Sequence, residues 1–225
     1  MKKNELVVIS TENKQLPFPN AKNVEQKFVK DFQEFAKILE EEVGNPDRKC
    51  IVIDSFTRIL DLITSYLEDV KKISGYGFWK YYAKFIRKML MKSMQTNKWL
   101  IWIAIDDTQF NSDGEEVITV KVQGKELKGL IESFFTIVLF THVDGKQPVE
   151  KRYQFCTNSD GKHTAKTPLS MFKNQYVPND IVEIFNVISK YYDFDVNNYE
   201  TKRPNILIVG RSGSGKSTSL RNIIK

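Results

Sequence analysis

Gly210, Gly215, Lys216 and Ser217 stand at the spacing G-x-x-x-x-G-K-[ST], with Arg211, Ser212, Gly213 and Ser214 inside the string and Thr218 after it. Glycines at those positions let backbone N–H groups turn inward around phosphate oxygens, and a following helix adds the positive end of its dipole. Lys216 would reach the β- and γ-phosphates, and the Ser217 hydroxyl would ligate Mg²⁺. A Gly/Ser linker can match such a string by chance. Here an apolar, β-branched run (Ile206, Leu207, Ile208, Val209) precedes the string, and residues 219–225 read as the start of a helix. That context predicts strand, phosphate loop and helix, and the ligands implied are ATP and Mg²⁺. The predicted nucleotide-binding set is Gly210, Ser212, Gly213, Ser214, Gly215, Lys216, Ser217 and Thr218, with Lys216 also counted as catalytic.

Two acids belong with this loop. Ile51, Val52 and Ile53 form an apolar strand that closes in Asp54 and Ser55. A carboxylate in that place can hold the water shell of a Mg²⁺ that bridges phosphates, although many strands also end in an Asp that only caps a helix. Glu12 closes the opening apolar strand, which runs through Leu6, Val7, Val8 and Ile9. In a parallel sheet both acids share the carboxyl edge with the phosphate loop, where ligands of open α/β sheets bind. Glu12 is therefore the candidate that polarises an attacking water, against the plain alternative of a solvated loop acid.

A phosphate loop, a strand closing in Ser10, Thr11 and Glu12, and a strand closing in Asp54 and Ser55 together resemble the RecA-like ATPase core. The strings Glu12 to Phe18 and Thr157 to Pro168, with Met171 and Phe172, are similar to phage-encoded RecA-like ATPases tied to single-strand annealing and recombination. The resemblance implies a water-activating role for Glu12 and a Mg²⁺ role for Asp54. It also implies a polar sensor after the strand at residues 99–105, where Asp106 and Gln109 are the candidates. Lys166 would be a cation that reaches the γ-phosphate across a subunit interface, in a homo-oligomer. An oligomerisation segment ahead of the phosphate-loop strand has no obvious counterpart. The implied activity is ATP hydrolysis serving phage DNA recombination; the alternative is a nucleotide-binding regulatory or assembly protein with little turnover and no DNA role.

The order of elements is unusual. A phosphate loop ordinarily follows the first strand of its sheet, yet here the other strands lie upstream of it in the sequence. The expected fold is thus a single α/β domain over residues 1–225, a mostly parallel sheet with helices on both faces, in circularly permuted order. Residues 193–203 would join the last helix to the phosphate-loop strand, and residues 204–225 would supply that strand, its loop and its helix. The 206–209 strand is expected inside the sheet, beside the 50–53 strand, with the chain termini close together. The rival expectation is truncation just inside a second phosphate-loop domain. Helices are expected over residues 24–43, 56–72, 78–96, 127–134 and 180–192, and a hairpin around residues 111–114.

Composition sets outer bounds. The 225 residues carry 34 Lys+Arg against 28 Asp+Glu, a net charge of +6 that is compatible with a nucleic-acid partner. Lys80, Lys84, Arg87 and Lys88 interleave with Tyr76, Phe78, Trp79, Tyr81, Tyr82 and Phe85. Such a tract can stack on unpaired bases while neutralising phosphates, so single-stranded DNA is the candidate partner; a buried aromatic face with a solvated basic side explains the tract as well. Cys50 and Cys156 have no metal-ligand spacing, and neither His142 nor His163 is read as having a ligand partner nearby. No leader or membrane-spanning run is read, so the expected location is the cytoplasm, that of the host for a phage-encoded chain.

Overall fold

Apolar residues in alternation build the centre of the molecule. The computed structural model describes residues 1–124, 127–195 and 200–223, without the side chain of Tyr76. Its strands are β1 Leu6–Ser10, β2 Glu25–Phe28, β3 Cys50–Asp54, β4 Trp99–Ala104, β5 Asp106–Phe110, β6 Glu116–Val120, β7 Ile137–Val143, β8 Tyr153–Cys156, β9 Tyr176–Pro178 and β10 Ile206–Val209. Its α-helices are α1 Phe32–Gly44, α2 Phe56–Ser65, α3 Phe78–Ser93 and α4 Ile181–Tyr191. Eight strands form one sheet in the order β2-β1-β3-β4-β10-β7-β8-β9, and β5 and β6 form a separate hairpin. The first six of that order pair in parallel; β8 and β9 add antiparallel at one side.

Side chains on successive strand residues point to opposite faces, so each central strand feeds two cores. Val7, Ile9, Ile51, Ile53 and Trp102 pack with Phe35 of α1, Ile59 of α2 and Tyr82 of α3. Leu6, Val8, Cys50, Val52 and Trp99 pack on the other face with Phe185 of α4 and with Leu220 and Ile223 beyond the phosphate loop. Trp102 meets Phe56 edge-on at 5.4 Å, and Trp99 stacks on Phe185 at 4.0 Å. This is an α/β fold, a mostly parallel sheet with helices on both faces.

Three expectations need correction. Residues 24–43 are not one helix: Glu25–Phe28 is the edge strand β2, and α1 starts only at Phe32. Asp31 fixes that start by accepting the Glu34 N–H at 2.8 Å, while the Glu34 carboxylate reaches back to the Lys30 N–H at 3.0 Å. Second, residues 127–134 are not one helix: Ile131–Phe134 form a short 3-10 helix after a turn, whereas the hairpin expected around residues 111–114 is present, with Asp106–Phe110 paired in register with Glu116–Val120. Third, β10 lies inside the sheet but not beside β3. β4 separates them, and β7 flanks β10 on its other side. The strand order follows from burial: all four residues of β10 are buried, which a place between two long apolar strands provides. Met1 sits against the far end of the chain, its ammonium donating to the Ile223 carbonyl at 2.9 Å. Lys225, and residues 196–199 of the predicted joining segment, lie outside the described residues.

Candidate nucleotide-phosphate site

Register brings the site together. Ser10 is level with Asp54, and Val209 is level with Ala104 and Phe140, so β1, β3, β4, β10 and β7 all end at one edge. The loop that leaves β10 is stitched to β7. The Thr141 and Ser214 hydroxyls lie 2.6 Å apart in a buried contact, and Thr141 Oγ1 donates to the Val209 carbonyl at 3.2 Å. Ser214 Oγ also donates to the Arg211 carbonyl at 2.7 Å. A Cβ on Gly210 would fall 1.7 Å from Thr141 Oγ1, and Gly215, at φ +89°, would put one 2.9 Å from the Tyr153 ring. These two positions therefore need glycine for close approach, and Gly215 for its left-handed backbone too. Gly210 and Ser214 shape the loop from behind.

In front of the loop lies a pocket of about 410 Å³. Ser212, Gly213, Gly215, Lys216, Ser217 and Thr218 line it from one side, and Asp54 and Glu12 from the other. Ser217 Oγ donates to Asp54 Oδ2 at 2.7 Å, joining residues at opposite ends of the chain. Lys216 Nζ donates to the carbonyls of Gly210 and Arg211, both at 2.7 Å, so its charge sits over the loop. Burial pushes Asp54 above the ordinary carboxylate range, against the Ser217 hydrogen bond and the charges of Lys14 and Lys216. Burial likewise lowers Lys216, against the attraction of Asp54 and Asp106. Each is a desolvated charge facing the pocket, which suits a strongly charged ligand.

Glu12 takes its place from a turn at the end of β1. Ser10 Oγ donates to the Glu12 carbonyl at 2.9 Å, and the Thr11 N–H reaches the Asp54 carbonyl at 3.1 Å. Its carboxylate pairs with Lys14 and lies 3.8 Å from Arg58 Nε. The hydrogen bond from Lys14 holds Glu12 below the usual carboxylate range, so it is ionised at neutral pH. Lys14 also lines the pocket, and sequence reasoning missed it. The signal available was a lysine two residues after the strand-closing glutamate.

Asp54 Oδ2 and Ser217 Oγ are hard oxygen donors already in contact, one of them on a half-buried carboxylate. That donor set fits Mg²⁺ and nothing softer.

Of the two sensor candidates, Asp106 faces the loop, with Oδ2 3.6 Å from Arg211 Nε. Gln109 instead donates across the hairpin to Thr119 Oγ1 at 3.1 Å. Arg211 is thus more than a bystander, although its side chain is mostly exposed. Lys166 is not brought to this pocket. Its backbone pairs with Val138, at 2.8 and 3.0 Å, towards the start of β7 and away from the loop edge. On α3, Phe78 and Tyr82 go into the core and Phe85 packs against it. Lys80, Lys84, Arg87 and Lys88 are exposed, with Trp79 and Tyr81 beside them. Contrary to the sequence reading, His163 does have potential ligand partners: donor atoms of Cys156, Asp160 and His163 lie within 4.8 Å of one another.

Comparison with protein families matches residues 2–169 to the AAA domain family, which is more than half of the chain. The phosphate loop lies outside the matched residues. Comparison with curated proteins gave no match, and neither did comparison with solved structures.

Proposed function

Since this chain belongs to the AAA domain family, an ATPase-type phosphate-loop family, we propose that it hydrolyses ATP with Mg²⁺ and acts on single-stranded DNA in recombination or strand annealing. The observation that carries the reading is the Ser217–Asp54 hydrogen bond, which unites the phosphate loop with the acid of β3 at the edge where Glu12 also ends.

Each residue then has a task. The loop N–H groups and Lys216 bind and orient the phosphates, and Lys216 offsets negative charge as the terminal phosphoryl leaves. Ser217 and Asp54 would hold Mg²⁺, which supplies charge neutralisation between the β- and γ-phosphates. Glu12, ionised and at the pocket wall, orients water and accepts its proton. Lys14 and Arg58 hold Glu12 in place, and Asp106 with Arg211 ties the loop to the β5–β6 hairpin. The exposed cations of α3 support a polyanion partner, with Tyr81 and Trp79 available to stack on bases.

We also read the chain as a RecA-like core in rotated order. The support is the sheet order, in which the last strand of the chain stands between β4 and β7, and the contact of Met1 with Ile223.

The test is phosphate release from ATP with and without Mg²⁺ and single-stranded DNA. Mg²⁺-dependent turnover that rises with DNA is expected, and Lys216→Ala should abolish it in a folded chain. Turnover unchanged in Lys216→Ala would remove the site; turnover indifferent to DNA, without binding, would leave a nucleotide-dependent switch with another partner.

A further inference from the structure

Across a cavity from Arg211–Ser214 of the phosphate loop, which His163 also lines, the chain leaves β8 at Cys156 and returns at Tyr176, and these two residues face each other in register. The excursion between them carries Asp160 and His163. Asp160 is held by both oxygens: Oδ1 accepts the N–H groups of Lys162 at 3.0 Å and His163 at 2.8 Å, and Oδ2 lies 2.7 Å from His163 Nδ1. The Tyr176 hydroxyl donates to the same Oδ2 at 3.0 Å. Cys156 Sγ points into the same region, donating to the Asn158 carbonyl at 3.0 Å. One sulfur, one imidazole nitrogen and one carboxylate oxygen therefore stand within 4.8 Å of one another, the sulfur buried and the other two groups partly exposed.

We propose that Cys156, Asp160 and His163, with the Tyr176 hydroxyl beside them, form a Zn²⁺-binding site that staples the excursion between β8 and β9. The donor set decides the metal. Mixed sulfur, nitrogen and oxygen ligands suit Zn²⁺, whereas Mg²⁺ demands oxygens alone. Charge agrees: a thiolate and a carboxylate balance the ion, so the loaded cluster is neutral and its sulfur can stay buried. The thiol proton passes to solvent as sulfur takes the metal, and a neutral imidazole supplies the third ligand. The outer contacts are already present, because the two backbone N–H groups on Asp160 Oδ1 fix the carboxylate that presents Oδ2. The three ligands lie within eight residues, so the ion clips the start of the excursion. Since the site includes no nucleotide-binding residue, it stands or falls apart from the ATPase reading.

Metal-free full-length protein titrated with Co²⁺ tests the proposal. A one-to-one complex is expected, with a thiolate-to-cobalt charge-transfer band, displaced by Zn²⁺ and retained in Lys216→Ala. Cys156→Ser should lose the band, and His163→Ala should weaken binding at least about tenfold. Absence of the band in the unmutated chain overturns the site, as does its survival in Cys156→Ser. If Cys156→Ser fails to fold, X-ray absorption of the Zn²⁺-loaded unmutated chain decides. One sulfur in the coordination shell supports the site, and a shell of nitrogen and oxygen alone overturns it.

Discussion

Asp54 meets two opposed demands. In the proposed role it must be ionised to hold Mg²⁺, yet burial raises its pKa, so the carboxylate is penalised in the fold. A carboxyl whose folded pKa is raised costs stability above that pKa; the cost fades as pH falls towards the unfolded value of 3.8. Asp54→Asn, which can still accept from Ser217, is thus expected to raise the thermal midpoint of the nucleotide-free chain at neutral pH. That gain should shrink in acid, while Mg²⁺-dependent nucleotide binding is lost. A lower midpoint at neutral pH would mean that the attraction of Lys216 outweighs burial. Glu12 sits under the opposite regime, with Lys14 keeping it ionised. Glu12→Gln should therefore leave ATP binding intact and slow hydrolysis by at least about a hundredfold, the usual scale for loss of a general base. Near-normal single-turnover hydrolysis in Glu12→Gln would move the base elsewhere.

At the scale of elements, α3 shows how one helix serves two surfaces. Phe78, Tyr82, Ile86 and Leu90 recur at helical spacing and are buried, while the cations between them face solvent. Lys92 is tied to Glu40 of α1 at 2.8 Å, so the stripe formed by Lys80, Lys84, Arg87 and Lys88 is the part on which the proposed DNA contact rests. If it tracks a single strand of DNA, binding should weaken linearly in log[salt]. Replacing all four cations by Gln should flatten that slope by up to about 3, at roughly 0.7 per phosphate. An unchanged slope in a folded variant would move the DNA surface off this helix. The helix itself was legible in the sequence because its period is strong. So were the apolar strands that end in Asp54 and Ser10, and the phosphate loop, whose glycines the backbone strictly requires. What escaped was set by non-local partners. β2 is polar and stands at an edge, held by the β1 ladder rather than by its own pattern. Gln109, level with Val117, reaches Thr119 diagonally across the hairpin, a contact that only the register sets. The backbone pairing of Lys166 with Val138, towards the start of β7, likewise lies beyond what a short string carries. The position of β10 depended on crossover topology, about which a four-residue apolar run says nothing.

The whole molecule poses a question of order. Between β4 and β7, both parallel to it, stands the last strand of the chain, and the first residue touches the turn that follows the phosphate loop. Contacts with short sequence separation in the rotated order therefore span nearly the full chain here, as the Met1–Ile223 hydrogen bond does. Tertiary contacts do not depend on where a chain is cut, provided that the cut lies in an exposed, weakly held segment. Arg203 anchors one end of the segment before β10, donating to the carbonyls of Asn97 and Thr201, both at 3.0 Å, with its guanidinium over the Trp99 ring. Opening the chain must spare it. A rearranged chain that starts at Val196, runs through Lys225 and a short Gly/Ser link into Met1, and ends at Asp195 keeps every contact named above. It should fold to the same structure and retain ATP binding, because Ser217 and Asp54 still meet at one sheet edge. Folding is expected to be faster, since the contacts between the loop strand's helix and β1 become local and their loop-closure cost falls. Loss of a cooperative unfolding transition, or of nucleotide binding, in the rearranged chain would show that the order seen here is a requirement of this fold rather than a rotation of it.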